Sequence, residues 1–180
     1  MSSPWNPDRY LEAYHFAALA HRGQTFPGTD IAYIMHLSFV CTEVVWTLQQ
    51  EGGHDGDLAV SCALLHDTME DTRVTYDDIA ERFGQQVAEG VAALTKDPRV
   101  PKAHRMAESL ERIKLQPHAV WLVKLADRTA NMQSPPAHWS PEKRVAYQVE
   151  AREIHSALAE ASPVLAARLA AKIDAYDAYL

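Results

Sequence analysis

A chain of 180 residues, 47% hydrophobic and 23% charged, is long enough to bury one sizeable core and ordinary enough in composition to fold as a globular domain. Its 7 glycines argue against a turn-rich β architecture, and a formal charge of −7, from 17 basic and 24 acidic residues, argues against gripping a nucleic-acid backbone. No apolar run approaches the roughly 18–20 residues that span a bilayer, and residues 1–9 lack a signal peptide's apolar segment, so no membrane partner is expected.

In chain order, residues 10–22 place Leu11, Tyr14, Ala18 and Leu19 at three- and four-residue spacing, the pattern of an amphipathic helix. Residues 36–50 and 58–67 are apolar enough for packed helices. They contain Cys41 and Cys62, two thiols without a CxxC partner, which suit a reducing cytoplasm better than a disulfide framework. Thr75 with Asp78 three residues on reads as a capped helix start, and that short helix should stop near Phe83-Gly84. Lys96, Arg99, Lys102, His104 and Arg105 form one basic cluster, readable as an anion site or equally as a solvated loop. Later helices should begin with proline in the first helical position at Gln116-Pro117, Ser140-Pro141 and Ser162-Pro163, the two serines serving as N-caps. Strand-like alternation is nowhere sustained, and no repeat or linker marks a boundary. The expectation is all-α, a single domain over residues 1–180 built as a bundle of about eight or nine helices.

The most informative segment is Ala63-Leu64-Leu65-His66-Asp67-Thr68-Met69-Glu70-Asp71-Thr72. An apolar run ends abruptly in a histidine and three acids. Burying unpaired carboxylates costs several kcal/mol, so the cluster needs a cation or solvent. If the segment is helical, His66 and Glu70 share one face. A solvated helix end is the plain alternative, but two other residues shift the balance. His36 heads an apolar helix, and Asp127 ends the apolar stretch Val120-Trp121-Leu122-Val123-Lys124-Leu125-Ala126. Singly, these read as a satisfied core histidine and an acid paired with a neighbour such as Arg128. Together with His66 and Asp67 they make an N/O ligand set suited to Mn²⁺, Fe²⁺ or Mg²⁺-like ions with open positions.

The series His36…His66-Asp67…Asp127 resembles the signature of the HD superfamily. Longer phrases narrow the resemblance: Ala20-His21-Arg22-Gly23-Gln24, Tyr33-Ile34-x-His36, Leu64-Leu65-His66-Asp67-Thr68-x-Glu70-Asp71-Thr72, Phe83-Gly84, Leu94-Thr95-Lys96, Val123-Lys124-Leu125-Ala126-Asp127-Arg128-x-x-Asn131, and Trp139-Ser140 with Tyr147 beyond. Over residues 10–157 they look like the hydrolase domain of RelA/SpoT-type enzymes. With no room for a synthetase or regulatory domain, the chain is similar to the stand-alone small alarmone hydrolases. The resemblance implies a helical HD fold and Mn²⁺, or another divalent cation, held by His36, His66, Asp67 and Asp127. It implies Glu70 and Asp71 as catalytic acids, and release of pyrophosphate from the 3′ position of (p)ppGpp- or (p)ppApp-type nucleotides. It also implies substrate contacts at Arg22, Tyr33, Lys102, Arg105, Asn131, Lys143 and Tyr147, with Arg144 replacing Lys143 if the register slips by one.

Three departures bear on the nucleotide and none on the metal set. Thr25-Phe26-Pro27-Gly28 stands where the family has an Arg-Lys pair, Thr129-Ala130 replaces a bulky-aromatic pair, and Met106 follows Lys102-x-x-Arg105 where a lysine is usual. Phe26 is expected either to stack on the base or to be a turn aromatic packing on the core. Fewer basic donors would favour adenine over guanine alarmones. The alternatives are an HD phosphohydrolase acting on another nucleotide, or a non-catalytic nucleotide-binding module. Nothing in the sequence sets an oligomeric state.

Overall fold

A computed structural model describes residues 5–180. Every regular element among them is helical: α1 (Pro7–Ala20), α2 (Ile34–Gln50), α3 (Gly56–Leu65), α4 (Thr68–Asp71), α5 (Tyr76–Phe83), α6 (Gln85–Leu94), α7 (Arg105–Lys114), α8 (His118–Asn131), α9 (Pro141–Leu158) and α10 (Pro163–Ala175). Short 3-10 turns cover Lys102–His104, Ala159–Ala161 and Tyr176–Tyr179. With α4 a single turn of 4 residues, the described residues form the expected all-α bundle of about eight or nine helices, nine of them longer than one turn.

Two helices make the centre. In α8 every residue from Ala119 to Ala130 is buried, and in α3 every residue but Asp57. A helix buried on every face must be enclosed by its neighbours, whether the side chains it buries are apolar, as in most of α3, or include charges, as in α8. Accordingly α8 packs against α2, α3, α9 and α10, while α3 packs against α1, α2, α6 and α8. The approach of α6 is close: a Cβ on Gly90 would lie 2.8 Å from Cys62 Sγ and 3.0 Å from Val120 Cγ2. The polar ends of α3 and α8 therefore meet inside the bundle, beside the first turn of α2.

Local signals explain most helix starts. Thr75 and Asp78 form both bonds of a capping box, Asp78 Oδ2 accepting from Thr75 N at 2.8 Å. Ser140 and Ser162 accept from the backbone N–H of Lys143 and Leu165, with Pro141 and Pro163 first in their helices. Pro117 departs from this pattern. It is extended (ψ 151°) and precedes α8, because only residues 115–117 reverse the chain between α7 and α8. The expected buried stripe of α1 also needs correction: Leu11 is 61% and Leu19 47% exposed, and the buried face is Ala13 and Ala17. The small side chains of Ala13 and Ala17 face the core where α1 packs on α3, while Tyr10, Tyr14 and Phe16 pack against the core as partly buried aromatics.

Candidate metal centre and active site

His36 sits in the first turn of α2, His66 is the residue at which α3 stops, Asp67 precedes α4, and Asp127 lies in the last turn of α8. His36 Nε2 is 3.5 Å from both Asp67 Oδ2 and Asp127 Oδ1. His66 Nε2 is 3.1 Å from Asp67 Oδ2 and 3.9 Å from Asp127 Oδ1. Four residues from three places in the chain thus converge with nitrogen and oxygen atoms facing one another.

The chemistry of that set asks for a cation. A carbonyl oxygen only accepts, so His66 Nδ1, 2.9 Å from Ala63 O, carries the hydrogen. That leaves Nε2 as a buried lone pair without a hydrogen-bond partner, aimed at two carboxylates. A proton or a metal ion must separate these electron-rich atoms. Burial opposes charge on His66, yet Asp67 and Asp127 outweigh it and push its pKa up to about 9. Burial likewise opposes charge on the two acids, but His66 beside Asp67 and Lys124 beside Asp127 hold both below the usual carboxylate range. Two imidazoles and two carboxylates, partly open on one side, fit a divalent ion better than a closed thiolate site.

Neighbouring donors orient the acids. Tyr33 OH donates to Asp67 Oδ2 at 2.6 Å, and burial followed by the Asp67 charge keeps that phenol protonated. Lys124 Nζ donates to Asp127 Oδ2 at 2.9 Å, and Asn131 Nδ2 to Oδ1 at 2.6 Å. Glu70 and Asp71 both lie on α4. Glu70 accepts from Lys96 twice, from its backbone N at 3.0 Å and its Nζ at 3.2 Å. Burial, then the charges of Asp67 and Glu70, raise the pKa of Asp71. The expected shared face of His66 and Glu70 does not form. The helix breaks at 66–67, and Glu70 turns to Lys96 instead.

These groups line one cavity of about 810 Å³. The same cavity is lined by Phe26, Phe39, Trp139 and Tyr147, and by the proline-stiffened segment 133–138 between α8 and α9. Phe26-Pro27-Gly28-Thr29 is a tight turn closed by Thr29 N on Phe26 O at 3.0 Å, with Gly28 at φ +81°. Phe26 is thus both the turn aromatic and part of the cavity wall.

Of the expected substrate residues, Phe26, Tyr33, Asn131 and Tyr147 reach the cavity, whereas Arg22, Lys102, Arg105 and Lys143 do not line it. Arg22 and Lys102 are exposed. Arg105 spends its guanidinium on Val100 O and Pro98 O, tying down its own loop. Lys143 places Nζ 4.2 Å from the centre of the Trp139 ring, and Arg144 donates to Tyr179 O at 3.2 Å. The residues not singled out from the sequence are Lys124, Trp139 and the direct grip of Lys96 on Glu70. For Lys124 a signal existed: a lone charge in an apolar helical run, three residues before an acid.

The HD domain family model matches residues 13–165. Guanosine-3′,5′-bis(diphosphate) 3′-pyrophosphohydrolase MESH1 of Xenopus tropicalis is 33% identical over 164 residues, covering 88% of this chain and 89% of that protein. Bifunctional (p)ppGpp synthase/hydrolase SpoT of Escherichia coli is 37% identical over 158 residues, which are 84% of this chain and 21% of SpoT. The solved structure of a metazoan orthologue of SpoT, described as hydrolysing ppGpp and acting in starvation responses, has a TM-score of 0.82 with this chain. That match is 25% identical and covers 98% of this chain and 99% of the other.

Proposed function

The chain belongs to the HD domain family, and from that premise we propose that it hydrolyses the 3′-pyrophosphate of guanosine-3′,5′-bis(diphosphate)-type nucleotides and releases pyrophosphate. The observation that carries the reading is the His66 Nε2 lone pair held against two carboxylates, on the wall of a cavity of a volume usual for small-molecule sites. In this reading His36, His66, Asp67 and Asp127 hold one divalent cation, Mn²⁺ by preference. Such an ion acidifies water and offsets charge on the attacked phosphoryl group.

The chain's own groups do the rest. Glu70 and Asp71 are the proton-transfer acids, one turn beyond the ligand Asp67. Lys96, gripping Glu70 through two donors, keeps that carboxylate at the cavity wall. Tyr33, Lys124 and Asn131 hold the ligand carboxylates in the orientation that the two imidazoles face. The aromatic wall of Phe26, Trp139 and Tyr147 suits the flat face of a purine. We include (p)ppApp among the substrates, because Thr25-Phe26-Pro27 offers none of the side-chain cations that an Arg-Lys pair would present to guanine.

The test is a Mn²⁺-supplemented panel of ppGpp, pGpp, ppApp, pApp, NADPH and dNMPs, read separately for pyrophosphate and phosphate. Pyrophosphate from the alarmones is expected. Phosphate from a dNMP, with no pyrophosphate from any alarmone, would replace this reading with another HD phosphohydrolase. Tight nucleotide binding without turnover would make the chain a binding module.

A further inference from the structure

His21 is 3% exposed and takes no part in the metal set, yet it is tied to both sides of it. Its ring stacks on Tyr33, centroids 4.9 Å apart and planes inclined by 26°. Its Nδ1 lies 2.6 Å from Gln24 Oε1. Gln24 in turn donates from Nε2 to the main-chain carbonyl of Asp71 at 2.7 Å, and its own carbonyl accepts from Tyr33 N at 3.1 Å.

The chemistry of the amide places the hydrogen on the imidazole. The Asp71 carbonyl only accepts, so Gln24 must turn its NH₂ that way and its Oε1 toward His21. His21 Nδ1 must then be the donor. The other nitrogen, Nε2, is buried without a partner. An unpaired buried acceptor costs stability, so packing alone would be better served by an apolar ring. That cost directs attention to what Nδ1 holds.

What it holds is the short α4 turn. This turn of 4 residues is cut off from α3 at His66, has no side-chain cap, and carries both acids. The carbonyls at a helix C-terminus lack intrahelical partners, and Gln24 satisfies that of Asp71. At the other end, Tyr33, on which His21 stacks, donates to Asp67 Oδ2 at 2.6 Å. One buried side chain thus braces residues 67 and 71 together.

We propose that His21 and Gln24 are positioning residues for the reaction, setting where the carboxylates of Glu70 and Asp71 stand relative to the metal ligands. The inference rests on the reading of those acids given above.

The experiment compares His21→Phe, Gln24→Leu and Gln24→Glu with the wild-type protein for kcat and KM on ppGpp, Mn²⁺ stoichiometry and Tm. His21→Phe keeps a ring against Tyr33 and removes the donor. Gln24→Glu sets a carboxylate oxygen against the Asp71 carbonyl. The expected result is a loss of about 10–100-fold in kcat, the scale of a misplaced catalytic group. KM should stay within about twofold and Mn²⁺ binding should be unchanged. Gln24→Glu should be slower than Gln24→Leu, and His21→Asn, which restores a donor near Nδ1, should recover most of the His21→Phe loss. In a Glu70→Gln background, His21→Phe should cost less than it does in the wild-type protein, because one of the two acids it positions is gone. Nitrogen NMR of the metal-free protein should find the His21 hydrogen on Nδ1. A hydrogen on Nε2 alone overturns the proposal. So do variants at wild-type kcat, or losses that follow Tm and are undiminished in the Glu70→Gln background. A wild-type protein that releases no pyrophosphate overturns the functional reading and this inference with it; unchanged variants of an active enzyme overturn this inference alone.

Discussion

Lys124 Nζ donates to Asp127 Oδ2 at 2.9 Å inside α8, where both side chains are buried and every neighbour along the helix is buried too. The bond divides the labour of one carboxylate. Oδ2 is neutralised by the lysine, while Oδ1 accepts from Asn131 and faces His36 and His66. A buried ion pair contributes little beyond what an apolar pair would, but losing one partner strands the other at a cost of about 3–5 kcal/mol.

Lys124→Met should therefore destabilise the metal-free protein by about that amount. With Mn²⁺ saturating, the loss should shrink, because the ion supplies the charge that Asp127 has lost. Removing a neighbouring positive charge should also tighten Mn²⁺ binding. Urea unfolding in EDTA and in Mn²⁺ measures both effects. Equal losses in the two conditions would mean that Asp127 does not face the ion.

Metal removal should carry its own pH signature. In the metal-free protein the pKa of His66 is raised from 6.5 to about 9. A group raised on folding contributes stability that is complete below its unfolded pKa and is lost as pH rises through the folded one. The Tm of EDTA-treated protein should thus fall between pH 6.5 and about 9. The Mn²⁺-loaded protein, whose ion has already displaced that proton, should not show this decline. The stabilisation by Mn²⁺ should grow across the window. A gain independent of pH would show that His66 Nε2 is not a ligand.

Glu70→Gln should keep the metal and lose about 10²–10⁴ in kcat, the scale of a missing acid–base group. The amide oxygen can still accept from Lys96 N, so the turn need not move. Wild-type turnover at saturating Mn²⁺ would remove Glu70 from the mechanism.

The helical class and the capping box at Thr75 and Asp78 were legible from residue type and spacing, whereas His36, His66, Asp67 and Asp127 were legible as one set through their order in the family signature. The misses have physical causes. Helical periodicity identifies an apolar stripe in α1 but not that two alanines would be preferred for close approach, leaving Leu11 and Leu19 outside. A helical reading of residues 63–72 cannot see the break at His66 that sends Glu70 to Lys96. A basic residue at a matching position has the right charge but no stated direction. Arg105 folds back on Pro98 and Val100, and Lys143 packs over the Trp139 ring.

Gly90→Ala tests the close approach of α6 to Cys62 and Val120. Alanine favours a helix interior over glycine by about 1 kcal/mol. Here its Cβ would meet Cys62 Sγ at 2.8 Å, between two helices that are themselves enclosed. A net destabilisation of about 1–3 kcal/mol is expected, relieved when Cys62→Ala is added. Chemical denaturation of the two single variants and the double variant decides it. A more stable Gly90→Ala protein would mean that Cys62 moves aside at little cost.

The turn aromatic in the cavity wall gives the last prediction. Phe26 is held by the Pro27-Gly28 turn and by its N–H on Ile31 O at 2.8 Å, with its ring 6.1 Å from that of His36 at 30°. It stands where the resemblance would place a cationic pair, so it can offer a base a stacking face but no hydrogen bond. Stacking on an aromatic is tolerant of base identity and is worth roughly 1–3 kcal/mol per base. Phe26→Ala should therefore raise KM by about 5–150-fold for guanine and adenine substrates alike, leaving their ratio unchanged. Asn131→Ala probes something different from base choice, because Asn131 Nδ2 is committed to Asp127 Oδ1. Its loss should appear in kcat and Mn²⁺ affinity for both bases. Steady-state kinetics on ppGpp and ppApp separates the two effects. If Phe26→Ala leaves KM untouched for every substrate, its ring merely caps a turn, and the departure at Thr25-Phe26-Pro27 carries no information about the base.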